Sequence, residues 1–245
     1  MNINYVISNY VGARRFAPKL QLDPLFYIKS HCNYFTNNKL EGVSKITFVL
    51  NKSDDYRRDE EFIDYVNNIK LSTEHELIVR DNIGFSYGAW QSVVEKNKDF
   101  DYHFLLEDDY IPRDNKIIEN FFNAMQNKDK TVFVCCIYEN GHCAMSSGLL
   151  NTKIVNKEIT EGRLNLKMIL NAEKIQSSDY ALGVNNQRIF LKNFEELGYN
   201  IKDLAKENKW LFVNHLGDIT HHGNPMGTIL LEPLDYNFYN FYKLA

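Results

Sequence analysis

Three consecutive carboxylates, Glu107, Asp108 and Asp109, follow an apolar run in the middle of the chain. Four of the five residues from Tyr102 to Leu106 are apolar, and Pro112 comes soon after the acids. Such a run is typical of a buried strand that carries negative charge at its end. Adjacent carboxylates repel one another, so the triplet favours a hard divalent cation or a network of hydrogen-bond donors. An ordinary acidic turn is the alternative, because Asp and Pro are common turn residues.

A second candidate binding segment runs from Arg80 to Trp90 and contains two glycines, Gly84 and Gly88. Glycine lets a backbone come close to a ligand, and the start of a following helix exposes unpaired N–H groups that favour phosphate or ribose oxygens. The segment has neither the G-K-[ST] of a P-loop nor a G-x-G-x-x-G pattern. A strand-to-helix turn that uses glycine only for its geometry is the alternative.

The elements that would position these residues alternate between strand and helix. Apolar, β-rich runs predict strands at residues 4–8, 45–50, 76–79, 102–106 and 131–137. Apolar residues at three- and four-residue spacing predict helices at 24–37, 59–68, 88–97 and 116–127. This order predicts an α/β fold with a mostly parallel sheet flanked by helices. The acid triplet would then lie at the carboxyl ends of the strands, where open α/β sheets bind ligands.

The second half of the chain is less regular. Short elements are predicted at 148–155, 164–171, 186–196 and 201–207, and a further strand at 210–213. No repeat or low-complexity linker divides the sequence, which favours a single domain.

The composition limits the classes of protein to which this chain could belong. A chain of 245 residues that is 44% hydrophobic and 24% charged is ordinary for a soluble globular protein. A net charge of -4, without a Lys/Arg block, argues against general nucleic-acid binding. The sequence has no signal-like start and no run of eighteen apolar residues, which predicts a cytoplasmic protein without a transmembrane segment. Peripheral membrane contact and the oligomeric state stay open.

Two motifs together resemble those of a known family. Gly84-Phe85-Ser86-Tyr87-Gly88-Ala89-Trp90 and Glu107-Asp108-Asp109-Tyr110-Ile111-Pro112 are similar to signatures of nucleotide-sugar-dependent glycosyltransferases of the GT-A fold. In particular, the motifs look like those of glycan-building transferases of bacteria and large viruses, including rhamnosyltransferase-like proteins, and the resemblance covers roughly residues 1–150. In that family the last acid of a D-x-D-like motif holds Mn²⁺ or Mg²⁺ on the donor diphosphate. Here Glu107-x-Asp109 replaces it, so Glu107 either ligates the metal or bonds ribose or a bound water.

The resemblance implies one GT-A-like domain, 1–245, with a nucleotide-binding half, 1–112, and an acceptor-side half, 113–245. It implies Asp109 as the principal metal ligand, with Glu107 and Asp108 around the metal and the ribose. The other implied nucleotide contacts are Ser8, Asn9, Tyr10, Arg14, Asn51, Asp81, Asn82, Gly84, Tyr87 and Gly88. Arg14 and Arg15 are equally compatible with a solvated pair.

A metal-dependent transferase of this kind often has a further ligand, commonly a histidine, from its C-terminal part. His215, His221 and His222 fall within eight residues of one another. Imidazole can complete a site with carboxylates, and it suits Mn²⁺ better than Ca²⁺. His221 and His222 do not easily reach one ion from extended backbone, and we favour His221 slightly over His215. Histidines that lie at the surface or make ordinary hydrogen bonds are the alternative.

Inverting glycosyl transfer also needs a base for the acceptor hydroxyl. In the resembled family this is usually an Asp or Glu well after the metal motif, which points to Asp179. Ser177-Ser178-Asp179 has the form of a helix N-cap as well, and a retaining enzyme would need no such base.

The resemblance thus implies a metal-dependent glycosyltransferase of polysaccharide biosynthesis. It would move a sugar from a UDP- or dTDP-type donor to a hydroxyl of a glycan or glycolipid acceptor, with inversion favoured. One alternative is a sugar nucleotidyltransferase, although Gly12-Ala13-Arg14-Arg15 is a poor match to the glycine-rich loop of that class. The other is a non-catalytic carbohydrate-binding protein that uses the aromatic residues.

Overall fold

The computed structural model describes residues 1–12, 25–108, 111–112, 116–125, 127–135, 138–139, 142–143, 148–164, 191–203 and 212–213. The strands are β1 (Ile3–Asn9), β2 (Val43–Asn51), β3 (Glu74–Arg80), β4 (Tyr102–Glu107), β5 (Ile111–Pro112), β6 (Thr131–Cys135), β7 (Tyr138–Glu139), β8 (His142–Cys143), β9 (Gly148–Asn151), β10 (Asn200–Asp203) and β11 (Phe212–Val213). The helices are α1 (Phe26–Asn37), α2 (Tyr56–Asn68), α3 (Phe85–Lys96), α4 (Ile117–Ala124) and α5 (Thr152–Thr160), and residues 191–196 are also helical.

The predicted strands and helices of the first half are confirmed, with shifts at their ends. The helix predicted at 88–97 begins at Phe85, so Gly88 lies inside its first turns. The reason is backbone geometry: Gly84 and Phe85 adopt φ angles of 78° and 52°, which turn the chain directly into the helix. The segment predicted at 148–155 divides into β9 and α5, because the Asn151 side chain accepts a hydrogen bond from the Ile154 N–H and caps the helix.

Seven strands form one sheet in the order β10-β6-β9-β4-β1-β2-β3. The β1–β2, β2–β3, β1–β4 and β6–β10 pairs are parallel, whereas β9 runs antiparallel to both β4 and β6. The predicted α/β class with a mostly parallel sheet is therefore confirmed. The chain adds β2 and β3 on one side of β1 and then returns to place β4 on the other side. This reversal is a topological switch point, where open α/β sheets form a ligand crevice at the carboxyl ends of the strands.

Helices cover both faces of the sheet. On the face that we call the α1 face, α1, α2 and α4 pack around a core that includes Ile7 of β1 and Leu106 of β4. On the opposite α3 face, α3 and α5 pack around a core that includes Val6 and Leu105. Because successive strand residues point to opposite faces, the same alternation decides the face on which each polar residue at a strand end lies.

Within the described ranges, no helix combines the length and the apolar character needed to cross a bilayer.

Candidate functional site

Four polar side chains lie at or beside the carboxyl ends of neighbouring strands on the α3 face, and we call them the polar row. In their order across the sheet from β4 to β3, they are Glu107, Ser8, Asn51 and Arg80. Ser8 stands opposite Glu107 in the strand register, and Asn51 stands opposite Arg80. In each strand the residue two positions earlier packs in or against the core of the α3 face, and side chains two positions apart share a face. The polar row therefore crosses the switch point between β4 and β1.

Directed hydrogen bonds join three members of the polar row. The Arg80 guanidinium donates from Nη1 to Asn51 Oδ1, and from Nη2 to the main-chain oxygen of Ile83 at 2.6 Å. Asn51 Nδ2 in turn donates to Ser8 Oγ at 3.0 Å and to the Asn9 carbonyl at 3.3 Å. Asn51 is only 2% exposed and Ser8 only 5%, so water competes little with these bonds. The bonds tie the ends of β1, β2 and β3 together.

Arg80 brings positive charge to this edge of the sheet. Burial lowers the pKa of its guanidinium from the ordinary value, and the charge of Asp81 partly opposes this effect. The group nevertheless stays protonated, as arginine does in proteins. Its hydrogen-bond acceptors in the described part of the chain are neutral, while the Asp81 carboxylate pairs with Lys52 Nζ at 3.1 Å on the exposed rim. A half-buried cation held by neutral acceptors favours an anionic ligand nearby.

Gly88 makes room for the Arg80 side chain. A Cβ atom at this position of α3 would lie 1.9 Å from the Ile83 carbonyl oxygen and 2.7 Å from Arg80 Nη2. Any larger residue would displace both groups. The sequence predicted that Gly88 lines the nucleotide; the described contacts place it against the guanidinium, and its contact with a ligand stays a prediction.

Glu107, at the other end of the polar row, is held by α3. Ser86 Oγ donates to Glu107 Oε1 at 2.6 Å. Ser86 lies in the first turn of the helix, where the unpaired N–H groups carry partial positive charge that stabilises a nearby carboxylate. Glu107 is half-buried and faces the α3 side, two positions after Leu105.

Asp108 directly follows β4 and is held by contacts with the end of β1 and with α1. Its carboxylate is 7% exposed and accepts a hydrogen bond from the Tyr10 main-chain N–H, with Oδ2 3.1 Å away. Its own N–H donates to the Ser8 carbonyl at 3.0 Å, and its carbonyl lies 2.8 Å from His31 Nε2 of α1. Each of the two adjacent acids thus has its own hydrogen-bond donor, Ser86 Oγ for Glu107 and the Tyr10 N–H for Asp108. These contacts brace the loop after β1, and the predicted place of Asp108 beside ribose or metal stays a prediction.

The other described nucleotide candidates lie at or just after the carboxyl ends of β1 and β3 and in the first turn of α3. Asn9 is 1% exposed, and its Nδ2 donates to the Ile7 carbonyl at 2.8 Å. Asn9 Oδ1 and Asn82 Oδ1 are buried, and neither has a hydrogen-bond partner among the described residues. Tyr87 packs edge-on against Trp90, with ring centroids 5.3 Å apart. The two amide oxygens are thus candidate acceptors for a ligand N–H or O–H group.

The described residues contain no cluster of three or more His, Cys, Asp or Glu side chains that could hold a metal ion. Glu107 nevertheless fits the coordination that Mg²⁺ and Mn²⁺ take with nucleotides, in which one or two carboxylates act together with water and phosphate oxygens. Five predicted site residues, Arg14, Asp109, Asp179, His215 and His221, lie outside the described residues.

Sequence reasoning missed three residues that the structure brings to this site. Arg80 ends β3, and a cation at the carboxyl end of a predicted strand was the available signal. Ser86 could have been found from its place in the first turn of a helix beside the acids. His31 lies among the apolar positions of α1, where a histidine is usually a core residue, so its sequence position alone carried no signal.

No protein-family model matches the sequence, and no curated protein matches it. Among solved structures, the chain is similar to a CMP:2-keto-3-deoxy-manno-octonic acid synthetase complexed with CTP, at 11% identity over 83% of this chain and 89% of that one, with a TM-score of 0.47. It is similar to the mannosyltransferase PcManGT from Pyrobaculum calidifontis in complex with GDP-Man and Mn2+, at 8% identity over 82% of this chain and 54% of that one, with a TM-score of 0.49.

The chain is also similar to a cytidylyltransferase from Leptospira borgpetersenii, at 10% identity over 83% of this chain and 75% of that one, with a TM-score of 0.48. By their names, these three neighbours are a sugar-nucleotide synthetase, a mannosyltransferase and a cytidylyltransferase. At this level of similarity we derive neither an activity nor a site residue from them.

Proposed function

We propose that this protein is a metal-dependent glycosyltransferase that uses a nucleotide-diphosphate sugar. The observation that carries the proposal is the polar row: a carboxylate, a hydroxyl, an amide and a guanidinium stand in one line across the switch point of a mostly parallel sheet. A nucleotide diphosphate presents both donors and acceptors, together with negative charge. The mixed chemistry of the row suits such a ligand better than it suits an apolar one.

The nucleotide would lie along the carboxyl ends of β1, β2 and β3. Arg80 provides charge that favours phosphate, and Ser8 and Asn51 provide polar groups at the crevice. The buried oxygens of Asn9 and Asn82 are acceptors suited to N–H or O–H groups of a base or a ribose. A UDP- or dTDP-type donor, as the sequence resemblance implies, remains part of this proposal.

The acidic end of the polar row would hold the metal. Glu107 ends β4, and Asp109, two positions later in the sequence, is the proposed principal ligand that the sequence resemblance implies. His221 or His215 is the proposed additional ligand. Bound there, Mn²⁺ or Mg²⁺ would stabilise the charge of the departing diphosphate.

The acceptor would be a hydroxyl of a glycan or glycolipid, with the enzyme acting in cytoplasmic polysaccharide synthesis. Asp179 is the proposed base that takes the proton of this hydroxyl as its oxygen attacks the anomeric carbon. Inversion at that carbon follows from a single displacement of this kind.

The test is a panel of UDP-, dTDP-, GDP- and CMP-linked sugars, measured with and without Mn²⁺. We expect one donor to raise the melting temperature only when metal is present, and its nucleoside diphosphate to be released slowly by hydrolysis. The variant Asp109→Asn should lose both effects. Asp101→Asn is the matched control, because Asp101 pairs with Lys153 beside the amino end of β4, away from the polar row.

Two other outcomes would replace the proposal. Release of pyrophosphate from a nucleoside triphosphate and a sugar phosphate would make the protein a nucleotidyltransferase. Binding of glycans without a response to any nucleotide would make it a carbohydrate-binding protein.

A further inference from the structure

The hydrogen bonds of the polar row have a direction that the chemistry of Arg80 determines. A guanidinium has five N–H donors and no acceptor. The amide atom of Asn51 that faces Arg80 must therefore be the oxygen, which leaves the NH₂ group facing Ser8. The contact of Asn51 Nδ2 with the Asn9 carbonyl supports the same orientation, because a carbonyl can only accept.

This direction continues to the Ser8 hydroxyl. Ser8 Oγ accepts from Asn51 Nδ2 at 3.0 Å, and in the described part of the chain this amide is the hydroxyl's one hydrogen-bond partner. A hydroxyl whose oxygen accepts from an amide still has its own hydrogen to donate. Because Ser8 is only 5% exposed, bulk water is largely excluded from this hydrogen. The hydroxyl is thus set to donate to a group in the crevice.

We propose that Arg80 is a positioning residue that sets the hydrogen-bond polarity of Ser8, so that the crevice selects a ligand with an acceptor oxygen at this point. The inference rests on the proposed function, because it takes the ligand to be a nucleotide. The acceptor would be an oxygen of the base or of a phosphate. A ligand that presented an N–H there would face a donor and lose affinity.

Arginine and Gly88 are both needed for this arrangement. The guanidinium spans two acceptors, Asn51 Oδ1 and the Ile83 carbonyl, which a lysine ammonium cannot match with the same planar geometry. The absence of a side chain at Gly88 leaves the space that Nη2 occupies. The orientation of the Asn51 amide therefore depends on a residue of α3 that is remote from Ser8 in the sequence.

A double-mutant cycle tests the polarity. Asn51→Asp keeps the shape and still accepts from Arg80, but it cannot donate to Ser8, whose hydroxyl then donates to the new carboxylate. We expect Asn51→Asp to weaken UDP binding about ten- to a hundredfold, as for a lost and reversed hydrogen bond, measured by calorimetry. In a Ser8→Ala background, the same substitution should weaken binding less than about threefold. Arg80→Met removes the donors that hold Asn51 Oδ1, and it should likewise weaken binding less in the Ser8→Ala background than in the wild type.

The cycle separates polarity from simpler effects. Repulsion between the new carboxylate and phosphate persists in the Ser8→Ala background, so equal losses in both backgrounds would overturn the proposal. Asn38→Asp is the matched control, because it changes an amide that bonds the Tyr34 carbonyl at the end of α1. Repeating the cycle with uridine locates the acceptor: coupling that persists assigns it to the nucleoside, and coupling that disappears assigns it to a phosphate.

A measurement without ligand keeps the two proposals distinguishable. The side-chain NH₂ signal of Asn51 in a ¹H–¹⁵N spectrum should exchange slowly with water and should shift in both Arg80→Lys and Ser8→Ala. Fast exchange, or no shift in either variant, would overturn the proposal that Arg80 sets the hydrogen-bond polarity of Ser8. If no nucleotide binds the wild-type protein but the amide behaves as expected, then the proposed function fails and the role of Arg80 in setting the Ser8 polarity stands.

Discussion

The Nε2 atom of His31 lies 2.8 Å from the main-chain oxygen of Asp108. Because a carbonyl can only accept, Nε2 carries the hydrogen. On the other side of the same residue, the Asp108 N–H donates to the Ser8 carbonyl at 3.0 Å. A helix and a strand therefore hold the main chain of Asp108, the residue directly before Asp109, and they fix the point at which the acidic segment leaves the sheet.

Replacing His31 should lower the free energy of unfolding, because His31 holds the main chain at Asp108. His31→Phe removes the donor and leaves a buried carbonyl without its partner, which costs about 1–3 kcal/mol of unfolding free energy. His31→Gln keeps an N–H donor on a shorter side chain, so it should lose less unfolding free energy than His31→Phe. Urea denaturation measures both, and a His31→Phe variant as stable as the wild type would show that this hydrogen bond is not needed.

Gly88→Ala tests the packing of Arg80 against α3. In an ordinary helix interior, alanine is favoured over glycine by about 0.5–1 kcal/mol. Here the added Cβ would lie 1.9 Å from the Ile83 oxygen, so we expect destabilisation of about 1–3 kcal/mol instead. Gly162→Ala is the control: a Cβ there meets nothing within 4 Å, so its cost comes from the backbone φ of +71° alone. A gain in stability at Gly88 would contradict the packing.

Ser86→Ala should weaken the hold on Glu107. The lost donor lies 2.6 Å from the carboxylate, and without it the side chain has more freedom. If the protein uses metal as proposed, then the Mn²⁺ concentration for half-maximal activity should rise severalfold, with a smaller change in melting temperature. Ser92→Ala is the matched control, because that hydroxyl bonds the Ala89 carbonyl within the same helix. An unchanged Mn²⁺ dependence in Ser86→Ala would exclude a role for this bond in metal binding.

The environment of Glu158 leads us to expect a specific dependence of stability on pH under acidic conditions. Its buried carboxylate accepts two hydrogen bonds from Arg163, at 2.6 and 2.7 Å, and one from the Tyr199 hydroxyl. The Arg163 hydrogen bonds outweigh the effect of burial and, with help from Tyr199, lower the pKa of Glu158 from its ordinary 4.5 to about 2. A depressed pKa stabilises the fold above 4.5, and this stability is lost as the pH falls towards 2.

Glu158→Gln should therefore be less stable than the wild type at pH 7 and should lose less stability between pH 4.5 and 2. Urea denaturation at several pH values checks this, with exposed Glu119→Gln as the control. Parallel pH profiles of the wild type and Glu158→Gln would contradict the expected role of the ion pair.

The sequence by itself determined the order of strands and helices in the first half and the place of the acids after β4. These follow from local causes, since the spacing of apolar residues sets the type of element, and parallel strands collect their carboxyl ends at one edge. Glu107 and Ser8 were therefore predictable as members of one crevice.

Only the tertiary structure decided which neighbours each polar atom meets. Sequence spacing cannot show that Arg80 reaches Asn51, that Gly88 makes room for it, or that His31 of α1 reaches Asp108. Each of these contacts depends on the strand register and on how a helix packs over the sheet. The physical reason is that a hydrogen bond is satisfied within a few tenths of an ångström, whereas hydrophobic patterning selects only a face.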